Sequence, residues 1–356
     1  MASASNVRSA LLFCHPSMEN LAEAIAAKCC AANNEPFFPT VTPVSPFSFA
    51  ESLSANRPMR KFQQVQFVRS IEWKKFKDGW PNLFINNVRE CAGRDVIFLG
   101  SFHSPEVIFE QLSIIYNMPR YLARSFKFIL PYFPTGTMER VDMEGQIATA
   151  KVLAMLLSAI PSTARGPAQI VMFDIHALPE RFYFSDQVIP RLESAIPLLI
   201  KEIMAMPDDI QANLSIAFPD EGAYKRFHPM FEDFPFILCT KIRDGDKRIV
   251  SVKEGDTFGR HVIIIDDLIQ TGGTLRHCAQ VLQHKGALSV NAFVTHAVFP
   301  EGSWKLFTEG GPVKFDNFWI TDSIPHAVGI ARHPPFKLLS LRDAISETLL
   351  SYDLKE

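Results

Sequence analysis

The stretch His261-Val262-Ile263-Ile264-Ile265-Asp266-Asp267-Leu268-Ile269-Gln270-Thr271-Gly272-Gly273-Thr274-Leu275 decides the fold. A β-branched run that ends in two carboxylates reads as a strand over 261–265 buried on both faces, the pattern of a parallel sheet. Ligands of open α/β sheets bind beyond the carboxyl ends of the strands, where Asp266 and Asp267 fall. Thr271-Gly272-Gly273-Thr274 then opens a helix over 275–284. Two glycines let the backbone curl so that N–H groups converge on one point. The helix N-terminus adds positive potential and the threonines add donors, which makes a phosphate cradle. The acids just upstream can accept hydrogen bonds from vicinal sugar hydroxyls, so the segment suits a pentose 5-phosphate. The alternative is a structural turn with a threonine N-cap.

Working outward, strand and helix patterns alternate. Residues 10–14 read as a strand and 20–28 as a helix. Further strands are expected at 96–99, 126–132, 170–173, 214–218, 236–240 and 288–295, with helices at 105–118 and 147–160 and a mostly helical stretch over 188–204. Such alternation implies βαβ units. Residues 33–58 are rich in Pro, Ser and Phe and lack a period, so they read as an irregular insertion whose basic fringe (Arg57, Arg60, Lys61) is a solvated edge. There is also a weak internal repeat. Gly93-Arg94-Asp95-Val96-Ile97 resembles Gly259-Arg260-His261-Val262-Ile263, and Phe133-Pro134 falls on Phe299-Pro300 at the same offset of 166. Two related α/β domains follow, and only the second keeps the chemistry. Gly100-Ser101 stands where the second copy has Asp266-Asp267, and 105–108 stand where it has 271–274.

The chain has 356 residues, which fits two domains. Lys+Arg is 36 against Asp+Glu at 38, a net charge of −2, which argues against a general nucleic-acid or anionic-membrane binder. No apolar run approaches the roughly 20 residues needed to span a bilayer. The six cysteines (Cys14, Cys29, Cys30, Cys91, Cys239, Cys278) form no CxxC pair and read as reduced thiols. The first nine residues are Ser-rich and lack acids, but a strand begins at Ala10, and the last four residues match no retention signal, so the cytosol is the expected compartment.

The 261–275 loop resembles the phosphoribosyl-diphosphate (PRPP) loop of phosphoribosyltransferases and PRPP synthetases. Other segments narrow the choice. Phe76-Lys77-Asp78-Gly79-Trp80 and Asn86-Asn87-Val88-Arg89 are similar to the adenine-side segment of ribose-phosphate diphosphokinases. Pro131-Tyr132-Phe133 and Ala148-Thr149-Ala150-Lys151 resemble the surroundings of their second ATP loop. Asp174-Ile175-His176-Ala177 resembles their Asp-Leu-His-Ala signature, Pro219-Asp220-Glu221-Gly222 their diphosphate loop, and Lys241-Ile242-Arg243 their mobile catalytic Lys-x-Arg.

The resemblance implies two tandem phosphoribosyltransferase-like (type I) α/β domains, each a mainly parallel sheet flanked by helices. The first would span 9–163, with the insertion at 33–70, and be completed by 337–356; the second would span 166–336. It implies Mg²⁺-dependent transfer of a diphosphoryl group from ATP to the C1 hydroxyl of ribose 5-phosphate, at a site between the domains. Lys241 and Arg243 would be catalytic. Phe76, Asp78, Glu139, Arg140 and His176 would bind ATP, and His176 and Asp220 the metal. Asp266, Asp267, Gln270, Thr271, Gly272, Gly273 and Thr274 would bind ribose 5-phosphate, and Asp220, Glu221 and Gly222 the diphosphate. A homo-oligomer is implied too, with no nucleic-acid or membrane partner.

Three departures stand out. Trp80 replaces the family's usual acid, Thr137-Met138-Glu139-Arg140 replaces Arg-Gln-Asp, and Gln270 replaces a common Asp. Together they resemble the plant-type, phosphate-independent (class II-like) subgroup. The alternatives are a non-catalytic regulatory subunit associated with a PRPP synthetase and a phosphoribosyltransferase acting on a base. The first need not keep Lys241, Arg243 and His176; the second should lack the Lys-x-Arg and adenine segments.

Overall fold

The computed structural model describes residues 9–31, 64–244, 247–308, 310–311 and 313–352. The irregular stretch over 33–58 and its basic fringe lie outside the described residues, as does the terminal tetrapeptide, but the insertion expected to run to 70 ends earlier, because Val65–Phe67 is a strand paired with Ala10–Leu12 in the first sheet. The chain divides into two compact units, one holding 9–31, 64–194 and 341–352, the other 195–340.

The first unit is built from β1 (Ala10–Cys14), α1 (Glu19–Ala31), β2 (Val65–Phe67), β3 (Ile71–Lys75), β4 (Pro81–Ile85), β5 (Asp95–Leu99), α2 (Ile108–Asn117), β6 (Ser125–Ile129), α3 (Thr149–Ser158), β7 (Ala168–Phe173) and β8 (Val188–Glu193). Its described sheet runs β2-β1-β5-β6-β7-β8 and every pairing is parallel. β1 and β5 are buried along their whole length, which explains their unbroken apolar sequences. β3 and β4 form a separate antiparallel ribbon.

The second unit holds α4 (Ile196–Met204), α5 (Asp208–Ala212), β9 (Leu214–Phe218), α6 (Glu221–Phe227), β10 (Phe236–Asp244), β11 (Lys247–Glu254), β12 (His261–Ile269), α7 (Gly273–His284), β13 (Ser289–Ala297), β14 (Phe318–Thr321), α8 (Ala327–Ile330) and β15 (Phe336–Leu339). Its order is β11-β10-β9-β12-β13-β14-β15, parallel except for the β10–β11 hairpin. Without β11 this is the first sheet's order again, with β1, β2, β5, β6, β7 and β8 answering to β9, β10, β12, β13, β14 and β15. The repeat suspected from a few residues is therefore a repeat of topology, and the fold is α/β with two mainly parallel sheets. The terminal α9 (Arg342–Tyr352) packs on α1 of the first unit, where Ser346 meets the Cys29 thiol.

Three further sequence readings are corrected. The helix read over 188–204 starts only at Ile196: β8 occupies Val188–Glu193 before it. Pro190 is tolerated because β8 is an edge strand, and Pro197 sits in the first turn of α4, where its missing N–H costs nothing. The division expected at 163–166 falls earlier than the observed one at 194–195, because β7 pairs with β6 (Lys127 opposite Gln169) and stays in the first sheet. The strand expected over 261–265 runs to Ile269, with Asp266 opposite Val294 and Leu268 opposite His296. The two acids thus lie within the strand's last residues rather than after it.

Candidate active site

In each sheet the chain leaves the first strand toward one side and returns on the other, so the order reverses between β1 and β5 and again between β9 and β12. Ligands of open α/β sheets bind at such reversals, at the carboxyl ends of the strands. The two units treat this place differently.

In the first unit it is filled by the chain itself. The fully buried Gln111 accepts the Ser101 N–H at 2.8 Å and donates to the Ser101 and Val107 carbonyls at 2.8 and 3.0 Å. His15, just past β1, is buried with its Nε2 3.1 Å from Glu110 Oε1 and its Nδ1 2.8 Å from Ser17 Oγ. Burial lowers the His15 pKa, against the opposing pull of Glu110. Side chains thus satisfy these buried polar groups from within the chain.

In the second unit the same place gathers the predicted sugar and diphosphate residues. Asp220 N-caps α6, its Oδ1 accepting the Gly222 and Ala223 N–H groups at 3.1 Å each. Asp267 is buried and its Oδ1 lies 2.9 Å from Arg226 Nη1 on the last turn of α6. Asp266 is half-buried. Burial, then the carboxylates of Asp267 and Asp220, push its pKa well above the usual carboxylate range, with Arg226 opposing. Glu221 is drawn outward to Lys253, 2.8 Å away, and this exposed pair lowers its pKa.

Downstream, Gln270 and Thr271 are exposed, and the Gln270 carbonyl accepts a hydrogen bond from Ser303 at 3.1 Å. Gly272 has φ +75°, and a Cβ there would meet Phe307 Cζ at 2.3 Å. Phe307 in turn packs against Phe299, Phe315 and Phe318, so the loop rests on an aromatic core. A Cβ on Gly273 would point into open space, and α7 begins at that residue. Thr274 lies in its first turn. The two glycines thus serve different ends: Gly272 fits the core, and Gly273 leaves an opening at a helix N-terminus. Lys241 and Arg243 occupy alternate positions on β10, opposite Val250 and Arg248 of β11; their side chains lie outside the described residues.

The first unit brings together His176 and the turn that precedes Glu139 and Arg140. His176 follows β7 and is half-buried; a Cβ on Gly136 would come within 3.0 Å of its Cβ. Two non-glycine residues beside it hold left-handed backbone, Thr135 at φ +66° and Asp174 at φ +37°. The buried Glu180 accepts the Ala177 N–H at 2.9 Å. Tyr183 donates its hydroxyl to the Glu139 carbonyl. Arg140 is exposed and pairs with Asp142 at 3.2 Å, a contact that solvent makes weak. Phe76 and Asp78 sit in the loop of the β3–β4 ribbon. Phe76 is exposed, Asp78 Oδ1 accepts the Trp80 N–H at 3.2 Å, and Trp80 stands edge-on to Phe109 of α2 at 5.2 Å.

Arg226 and Glu180 were missed by the sequence reading. For Arg226 a signal existed: Asp220 as N-cap, Glu221 in the first turn and Lys225-Arg226 in the last is a helix signature that the loop reading passed over. The ribbon was also missed, although Asp78-Gly79 between apolar runs is a hairpin signal.

Among the described residues no helix is long and apolar enough to cross a membrane. A family model for the N-terminal domain of ribose phosphate pyrophosphokinase matches residues 10–160, and one for the phosphoribosyl synthetase-associated domain matches 241–353. The chain is 53% identical to ribose-phosphate pyrophosphokinase 4 of Oryza sativa subsp. japonica, over 79% of this chain and 88% of that one. It is equally close, at 53% over 79% of this chain and 70% of the relative, to ribose-phosphate pyrophosphokinase 3, mitochondrial, of Spinacia oleracea. A bacterial ribose-phosphate pyrophosphokinase, from Brucella melitensis, is 28% identical over 78% of this chain and 86% of its own. The crystal structure of phosphoribosylpyrophosphate synthetase from Mycobacterium smegmatis shares the fold, with a TM-score of 0.72 and 21% identity over 96% of this chain and 98% of that one. By its likeness to these relatives over most of its length, the chain belongs to the ribose-phosphate pyrophosphokinase family.

Proposed function

We propose that the chain is an active ribose-phosphate diphosphokinase: ATP + ribose 5-phosphate → AMP + PRPP. The observation that carries this is the second unit's strand reversal, where the carboxylates of Asp220, Asp266 and Asp267 converge beside an open helix N-terminus. The phosphate of ribose 5-phosphate takes the N–H groups of 271–274, and its hydroxyls face Asp266 and Asp267. The C1 hydroxyl then attacks the β-phosphorus of ATP in line, its proton is lost, and AMP leaves.

The work of the protein is positioning and charge stabilisation. Lys241 and Arg243 neutralise charge on the transferring diphosphoryl group. Phe76 stacks on adenine, while Asp78, Glu139 and Arg140 orient the nucleotide. Asp220, Glu221 and Gly222 form the diphosphate loop, with Glu221 held by Lys253.

Mg²⁺ fits the donors present. Among the described residues no group of three or more His, Cys, Asp or Glu forms a metal cluster, but Mg²⁺ needs only one or two carboxylates when substrate phosphates and water complete its shell. The crowded acids around Asp266 are the kind of donors a hard cation relieves. Asp220 in the second unit and His176 in the first are each assigned to Mg²⁺, which would supply charge neutralisation at the phosphates. A homo-oligomer, a cytosolic location and independence from inorganic phosphate complete the reading. The cytosol stands against relatives named mitochondrial and chloroplastic, so a fluorescent fusion of the chain decides it.

The variant Lys241→Ala tests the catalytic reading. It should lower kcat about 10²–10³-fold while ribose 5-phosphate still binds. Unchanged turnover would remove Lys241 from the mechanism. A wild-type protein that binds both substrates and turns over neither would favour the regulatory subunit.

A further inference from the structure

We propose that Arg226 is a positioning residue of the ribose 5-phosphate site, holding the Asp267 carboxylate charged and in place from the far end of α6. The inference rests on the assignment of the 266–274 segment to ribose 5-phosphate. α6 starts directly after β9, and β9 lies beside β12, with Ile216 opposite Ile263 and Ala217 opposite Ile264. The helix therefore bridges the strand reversal. Asp220 caps its first turn and Arg226, on its last, reaches Asp267 of the neighbouring strand at 2.9 Å. One short helix so ties the diphosphate loop to the sugar loop.

The pair is set deep: the Asp267 side chain is 2% exposed and that of Arg226 11%. A guanidinium set against a carboxylate so placed, beside a second acid, favours the carboxylate's charged form and fixes its position. Arg226 Nη1 is close to Asp267 Oδ1 but makes no aligned hydrogen bond. The contact is thus one of charge and proximity, so a lysine should recover part of it. A charged, fixed acceptor at the strand end is what a sugar hydroxyl needs, and it does not concern the nucleotide held by the other unit.

The test compares Arg226→Met, Arg226→Lys and the double variant Arg226→Met/Asp267→Asn. Each is measured for melting temperature, for KM of both substrates and for ribose 5-phosphate binding by calorimetry. Removing one member of a buried pair can unfold a protein, whereas the double variant buries no lone charge and should fold. Arg226→Met should raise KM and Kd for ribose 5-phosphate at least about tenfold, with KM for ATP within about twofold, and Arg226→Lys should recover part of the loss. The double variant should fold and still bind ribose 5-phosphate poorly.

Wild-type ribose 5-phosphate affinity in a folded Arg226→Met or in the double variant would overturn the proposal, as would equal losses for both substrates. A wild-type chain that binds ribose 5-phosphate but makes no PRPP would defeat the catalytic reading alone, and the calorimetry would still decide the role of Arg226. If the wild type binds no ribose 5-phosphate, both fall.

Discussion

Replacing each glycine of the phosphate loop by alanine should produce two opposite defects. In Gly272→Ala the new methyl must occupy space 2.3 Å from Phe307 Cζ and 2.6 Å from its Cε2, on a backbone at φ +75°. Left-handed backbone costs a non-glycine residue about 1–2 kcal/mol, and overpacking a core about 1–3 more. Together these remove about 2–5 kcal/mol, a large share of a typical stability of about 5–15. At about 2–4 °C per kcal/mol, the melting temperature should fall by roughly 4–20 °C. In Gly273→Ala the methyl meets nothing within 4 Å, and alanine favours the helix that begins there. The melting temperature should hold or rise slightly. The methyl instead enters the space assigned to the phosphate, and losing one charge-assisted hydrogen bond, about 1.5–3 kcal/mol, should raise KM for ribose 5-phosphate about 10–100-fold. Differential scanning fluorimetry and steady-state kinetics on the two variants read both effects. If Gly273→Ala keeps the wild-type KM, the phosphate does not sit at the start of α7. If Gly272→Ala melts with the wild type, the packing argument is wrong.

Two further outcomes follow from the first unit. Asp95 is buried at the start of β5, where it accepts Arg124 Nε at 3.0 Å and Ser125 Oγ at 2.6 Å. Burial pushes its carboxyl up, but these hydrogen bonds and the Arg124 charge outweigh it and hold the pKa below the usual value. Asp95→Asn should cost about 1–3 kcal/mol, toward the lower end because the Arg124 side chain is 42% exposed. Since the folded pKa is depressed, the contribution is present above pH about 4 and fades as pH falls below it, so the gap in melting temperature between wild type and variant should narrow there. A gap that widens in acid would contradict this. Of the six cysteines only Cys30 is exposed, while burial pushes the Cys14 thiol up to about 12 and those of Cys29 and Cys91 to about 11. A thiol reagent should therefore modify one cysteine in the native protein and all six after denaturation.

How far the sequence could be read depended on where the information sits. The 261–275 segment was legible because its signals are local: a β-branched run, two acids and paired glycines each constrain the backbone within a few residues. The 188–204 stretch was not, because a short apolar run before a helix carries the same residue types in a strand. What separated them was the pairing of β8 with β7, a contact absent from local pattern. The same holds for Arg226 and Asp267, far apart in the chain and joined only when β9 and β12 lie side by side. Gly272 was legible as a residue that must be glycine, but its reason is the Phe307 ring, which no spacing rule points to. Asp266 and Asp267 read as equivalent in sequence; the structure separates them by giving the arginine to Asp267.

A product assay on the purified chain with Mg²⁺, ATP and ribose 5-phosphate, run with and without inorganic phosphate, decides whether the chain carries out the reaction. AMP and PRPP should appear in equal amounts in both conditions. Product only when phosphate is present would keep the reaction and remove the phosphate-independent assignment. No product in either condition, with both substrates bound, would show that the chain does not catalyse the transfer.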